Sequence, residues 1–137
     1  MVENNNCFVI DVSVVLAVLL PDEQNLTKIK RLARLIAEKS VVLYCPRLLR
    51  FEFGNGLRLS VLRKRLRPES VAVLLRQFEK MPLKFLSFNM TKVLDLAIEN
   101  KLSFYDASYL CLALEKKAKL LTLDERLEKI WRKLKKI

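Results

Sequence analysis

The chain has 137 residues, 52% hydrophobic and 30% charged, with only two glycines and four prolines. That composition points to one compact domain, residues 1–137, with a real core, and it excludes a disordered or low-complexity chain. Net charge is +11 and histidine is absent, which excludes Ser-His-Asp and Cys-His nucleophilic schemes and HExxH zinc hydrolases.

In chain order, Phe8–Val12 reads as a short, fully apolar strand, followed by a helix over Val14–Leu20 that stops at Pro21. Phe8–Leu20 imitates the apolar core of a secretory signal. However, Glu3 precedes it without any Lys or Arg, and Asp11 lies inside it. Leu26, Ile29, Leu32, Leu35 and Ile36 recur at helical spacing, predicting an amphipathic helix to about Lys39. Val41–Tyr44 is a second strand. Pro46 suits the first turn of a helix running from about 47 to 65. Pro68-Glu69 opens another helix, to about Lys80. Leu83–Leu86 reads as a strand and Thr91–Asn100 as a helix. Ser103 and Asp106 have capping-box spacing at the start of a buried helix reaching about Lys117. Lys119–Thr122 is the fourth strand, and Asp124–Lys136 a basic terminal helix. Strands alternating with helices predict an α/β layer fold with a mainly parallel sheet.

No stretch reaches the roughly 18 apolar residues of a membrane span. Cys7, Cys45 and Cys111 are odd in number and show no CxxC spacing. The expectation is reduced thiols in a cytoplasmic protein, with neither disulfides nor a zinc site.

The excess charge is concentrated in two segments. Residues 47–67 carry +6 through Arg47, Arg50, Arg58, Arg63, Lys64, Arg65 and Arg67 against Glu52, and residues 115–137 carry +5. Such clustering suits a phosphate backbone, although basic residues near helix C-termini also favour the helix dipole.

Four acids stand where a carboxylate is locally out of place. Asp11 interrupts the first apolar run, Asp106 opens the apolar stretch Ala107–Leu114, and Asp124 follows the last strand. On a helical wheel started at Arg47, Glu52 falls near ~140°, beside Leu48 and Leu59, while Arg47, Arg50, Arg58 and Arg65 cluster around zero. Asn55 lies one turn further on. Gly54 and Gly56 each cost about 1 kcal/mol in a helix interior, so the helix can bend or break there and the placing of Glu52 depends on its continuing. Each acid also has a purely structural reading: a turn residue for Asp11, an ion pair for Glu52, a dipole contact for Asp106, an N-cap for Asp124. Jointly, four carboxylates in one cleft repel, and a hard divalent cation resolves that conflict. In open parallel sheets the carboxyl ends of the strands are where ligands bind.

The blocks Val9–Ser13, Pro46…Glu52-Phe-Gly-Asn55, Ser103–Leu110 and Leu121–Asp124 resemble those of PIN-domain ribonucleases, in particular VapC-type toxins of toxin–antitoxin pairs. The resemblance spans nearly the whole chain. It implies a three-layer α/β/α sandwich with a mainly parallel central sheet and Mg²⁺- or Mn²⁺-dependent hydrolysis of RNA. Asp11, Glu52, Asp106 and Asp124 map onto the family's metal-binding acids, with Ser13, Asn55 and Thr122 in support. It further implies an RNA substrate, an antitoxin partner and a homodimer, with Arg47, Arg50, Arg58, Arg63 and Arg65 as candidate RNA contacts. A catalytically silent RNA-binding module and a housekeeping nuclease are the alternatives within that resemblance. A haloacid-dehalogenase-like phosphatase would need a second Asp where Ser13 stands. A receiver domain would need paired acids before its phosphorylated Asp, and none is found.

Overall fold

A computed structural model describes residues 6–20 and 27–136. The expected helix stop at Pro21, the helical repeat beginning at Leu26 and the signal-like flank at Glu3 lie outside the described residues. The elements alternate as predicted: β1 (Cys7–Ile10), α1 (Val12–Leu19), α2 (Thr27–Ala37), β2 (Val42–Pro46), α3 (Leu48–Leu62), α4 (Val71–Lys80), β3 (Leu83–Leu86), α5 (Met90–Asn100), α6 (Phe104–Lys116), β4 (Lys119–Leu121) and α7 (Glu125–Leu134). A 3₁₀ turn at Pro68–Ser70 leads into α4.

The strands pair in the order β3-β2-β1-β4, and every pairing is parallel. β1 is buried at all four positions, as a strand covered on both faces must be, and this explains its unbroken apolar sequence. On one side α6 lies across β1, β2 and β4, with α5 and α7 against it; α1 packs on α2, α3 and α4. The core joins Val9 and Ile10 of β1 to Leu43 of β2 and to Leu110 and Leu112 of α6, all essentially inaccessible to solvent. Phe53 of α3 stacks on Phe78 of α4 with ring centroids 4.1 Å apart.

Some boundaries differ from expectation for local reasons. β1 ends at Ile10, because Asp11 caps α1: its Oδ1 accepts the Val14 N–H (3.2 Å). Pro46 is the last residue of β2, paired with Leu86, rather than the first turn of α3. α3 runs unbroken through both glycines. A Cβ on Gly54 would meet nothing within 4 Å, whereas one on Gly56 would stand 2.8 Å from Leu16 Cδ1. Gly56 therefore lets α1 approach α3 closely, and packing between the two helices offsets the propensity cost. The buried stripe of α3 is Leu49, Phe53, Leu57 and Ser60, so Leu48 and Leu59 are half-buried and Glu52 sits at the border of the stripe.

The chain moves from β1 outward to β2 and β3, then returns past β1 to place β4 on its other side. The strand order thus reverses between β1 and β4. The chain leaves the carboxyl ends of these two parallel strands toward different helices, α1 after β1 and α7 after β4, and a crevice opens between them.

Candidate active site

Asp11 and Asp124 flank that crevice. Asp11 is only 7% exposed, and its backbone N–H donates to the Leu121 carbonyl (3.2 Å), tying the end of β1 to the end of β4. The Ser13 hydroxyl donates to Asp11 Oδ1 and accepts the Leu123 N–H (3.0 Å). One serine thereby fixes the first carboxylate and the loop carrying the last. Thr122 is buried; its Oγ1 accepts the Asp124 N–H (3.0 Å) while its hydroxyl also bonds the Asp11 carboxyl. Thr122 therefore orients the backbone of Asp124 and the side chain of Asp11. Asp124 itself is exposed and caps α7, with Oδ1 accepting from Arg126 N–H (3.0 Å) and Leu127 N–H (3.1 Å).

Glu52 reaches the same place from α3. It is half-buried, and its Oε1 accepts the phenolic proton of Tyr109 on α6. Asp106, one turn before Tyr109, is half-buried at the start of α6. The Ser103 side chain caps that helix by accepting the Asp106 N–H (3.0 Å). Asp106 thus lies in the positive first turn of α6, as its structural reading expected, and also feels the charge of Asp124.

The electrostatics tie the four together. Burial pushes the Asp11 carboxyl above its ordinary range; Ser13, Thr122 and the Val14 N–H pull it back, and the charge of Asp106 raises it again. Burial likewise raises Glu52, the Tyr109 hydroxyl opposes this, and Asp11 and Asp106 add repulsion. Asp106 is raised by burial and then by Asp124, and lowered by Ser103 and the Arg126 guanidinium. Three carboxyls that resist ionisation, partly because each feels another, form a site of unbalanced negative charge.

Among the described residues no three Asp, Glu, Cys or His side chains are grouped so as to hold a metal ion. The bonds from Ser13 and Val14 to Asp11 and from Arg126 and Leu127 to Asp124 all use Oδ1, and that from Tyr109 to Glu52 uses Oε1. A carboxylate has a second oxygen to offer, and an all-carboxylate donor set fits a hard divalent ion of the Mg²⁺ or Mn²⁺ type.

The remaining candidates separate. Asn55 is exposed one turn beyond Glu52. Arg47 stands at the N-terminus of α3, directly after β2, at the same end of the sheet as the acids. Arg50 instead pairs with Glu79 of α4 (2.9 Å) and lies over the Phe85 ring. Arg58 is exposed further along α3. Arg63 lies eleven residues beyond Glu52, about 16 Å along the helix axis at 1.5 Å per residue, so Arg63 and Arg65 lie at the far end of α3 from the acids.

Sequence reasoning missed Tyr109 and Arg126. The signal for Tyr109 was its position three residues after Asp106, which places both on one helix face. Arg126 was hidden among basic residues; its Nη2 donates to the carbonyls of Asn100 (3.3 Å) and Lys101 (2.7 Å), which holds its charge near Asp106. Cys7, Cys45 and Cys111 are free and buried; burial pushes the Cys45 thiol up to about 12 and the Cys111 thiol up to about 11, which leaves those two unreactive. No helix among the described residues is long and apolar enough to cross a membrane.

Comparison with known proteins agrees with the fold. A sequence model described as PIN domain matches residues 8–133. A crystal structure of PAE2754 from Pyrobaculum aerophilum superposes with a TM-score of 0.69, covering 100% of both chains at 21% sequence identity. No curated protein matches the chain.

Proposed function

The chain belongs to the PIN domain family, a nuclease fold, and from that premise we propose that it is a metal-dependent endoribonuclease, the toxin of a toxin–antitoxin pair. The observation that carries the reading is the mutual charge coupling of Asp11, Glu52, Asp106 and Asp124 at the β1/β4 crevice. In this reading all four carboxylates hold the metal.

A bound Mg²⁺ or Mn²⁺ would neutralise a phosphodiester and lower the pKa of an attacking water, so no histidine is needed. The chain's own contribution is positional. Ser13 and Thr122 hold Asp11 against the end of β4, and Tyr109 restrains Glu52. Ser103 anchors the first turn carrying Asp106, and Asp124 is immobilised by capping α7. Carboxylates fixed in this way by neighbouring donors keep their orientation without reorganisation at the moment of reaction. Arg47, at the same end of the sheet, supplies a guanidinium for the RNA backbone.

The test compares wild type with Asp11→Asn and Asp106→Asn on structured and unstructured RNA in Mg²⁺, Mn²⁺ or EDTA. The expected result is cleavage by wild type with metal only, leaving a 5′-phosphate and a 3′-hydroxyl, and loss of at least a hundredfold in both variants. Equal cleavage by the three proteins, or cleavage that survives EDTA, overturns the nuclease mechanism. The toxin role is tested separately, by growth arrest on expression of wild type but not of Asp11→Asn.

A further inference from the structure

β4 is an edge strand: it pairs with β1 on one side, and no strand among the described residues pairs with its other side. Two cavities lie along it. One, of ≈ 320 Å³, is bounded by α2 and floored by Phe8, Ile29, Leu32 and Leu120. The second, of ≈ 370 Å³, is bounded by α7 and includes Trp131. Both touch all three residues of β4. The open edge thus runs along the bottom of a trough whose walls are α2 and α7.

The trough is strongly basic at its rim. Lys28 and Arg31 come from α2, Lys119 from β4, and Arg132, Lys135 and Lys136 from the end of α7. Its one acid, Glu128, bonds Arg132 (3.1 Å). Short, lysine-bearing edges protect a sheet from unwanted pairing. A trough of this volume with an apolar floor does more than that, because it leaves room for side chains on either side of an added strand.

We infer that this trough is a docking site for an extended, acidic segment of a partner protein, which adds to β4 as a further strand. The backbone of β4 supplies hydrogen bonds, the two cavities take alternate apolar side chains, and the cationic rim selects acidic residues. A nucleic acid strand is the poorer fit. Its bases need exposed stacking faces, whereas Trp131 is only 6% exposed and its ring carries the Lys135 ammonium at 4.4 Å. The inference is independent of the nuclease reading.

Trp131 is the chain's single tryptophan and reports occupancy directly. The probe is a blocked glutamate–valine peptide in which a run of four valines, able to enter both cavities alternately, is flanked by glutamates, titrated against the full chain while Trp131 emission is followed. Saturable binding is expected, at least tenfold weaker for a lysine–valine peptide and for the glutamate–valine peptide N-methylated at alternate amides. Lys119→Glu and Arg31→Glu are expected to weaken binding tenfold or more, with unfolding midpoints and RNA cleavage unchanged. Equal binding of the methylated peptide removes strand addition and overturns the proposal. So does displacement of the peptide by a single-stranded oligonucleotide of equal charge, or absence of peptide binding to a wild type that is folded by circular dichroism.

Discussion

Tyr109 on α6 donates its hydroxyl proton to Glu52 on α3, across 57 residues of sequence. The bond opposes the desolvation of Glu52 and ties the helix that carries Asp106 to the helix that carries Glu52. Burial and the Glu52 charge hold the Tyr109 phenol far above its ordinary value, so it remains a donor at every pH the protein tolerates. Tyr109→Phe keeps the ring packing and removes only this bond. The expected outcome is a loss of about 1–2 kcal/mol in denaturant unfolding. A roughly tenfold weakening of Mg²⁺ or Mn²⁺ binding by calorimetry is expected alongside it.

Asp11 couples stability to pH. Its carboxyl is raised in the folded protein, as are those of Glu52 and Asp106. The native state therefore binds protons that the unfolded state has already released, and stability falls as pH rises from the ordinary carboxylate range through the raised values. Without metal, the unfolding midpoint is expected to be higher near pH 5 than near pH 7.5. Asp11→Asn retains a good N-cap, so it should raise the midpoint at pH 7.5 and flatten the pH dependence while abolishing cleavage. A thermal-unfolding series in EDTA checks both slopes.

Adding Mg²⁺ or Mn²⁺ should reverse that trend, since a ligand that binds only the folded state stabilises it, by about 2.7 kcal/mol at a hundredfold excess over Kd. The midpoint should rise on adding metal at pH 7.5 more than at pH 5, where protons compete for the same oxygens. Asp106→Asn should lose most of the metal-induced shift. A shift of equal size in that variant would remove Asp106 from the metal site.

The two glycines of α3 should respond differently to alanine. Gly54→Ala adds a methyl into open space and should stabilise by about 0.5–1 kcal/mol through helix propensity. Gly56→Ala drives a methyl into Leu16 and should fall at least about 0.5 kcal/mol short of that gain, or lose stability outright. Denaturant midpoints at constant slope separate the two.

Arginine substitutions should grade with position along α3. Arg47→Ala is expected to raise KM for RNA several-fold and to reduce the salt dependence of binding by about one ion. Arg63→Ala, at the far end of the helix from the acids, should leave both nearly unchanged. An equal effect from Arg63 would place the RNA along the whole of α3.

What the sequence determined by itself is local. Helical and strand periodicity depends on residues within about four positions of one another, so the alternation of strands and helices was legible. The caps at Ser103 and Asp124, which follow from side-chain chemistry beside a chain reversal, were signalled by residue type and spacing, whereas the cap that Asp11 places on α1 emerged only in the structure. The apolar run likewise announced the strand β1, whose burial at all four positions the structure then showed. Tertiary structure decided what depends on contacts remote in sequence. It set the order β3-β2-β1-β4 and therefore where the crevice opens. It carried α3 through Gly54 and Gly56, with Gly56 packed closely against Leu16 of α1. It also supplied Glu52 with Tyr109 and placed Ser13 between Asp11 and Leu123. The acids were conspicuous as single residues. Their mutual coupling is a property of charges brought together from positions 11, 52, 106 and 124, and only a folded chain with both faces of its sheet covered creates it.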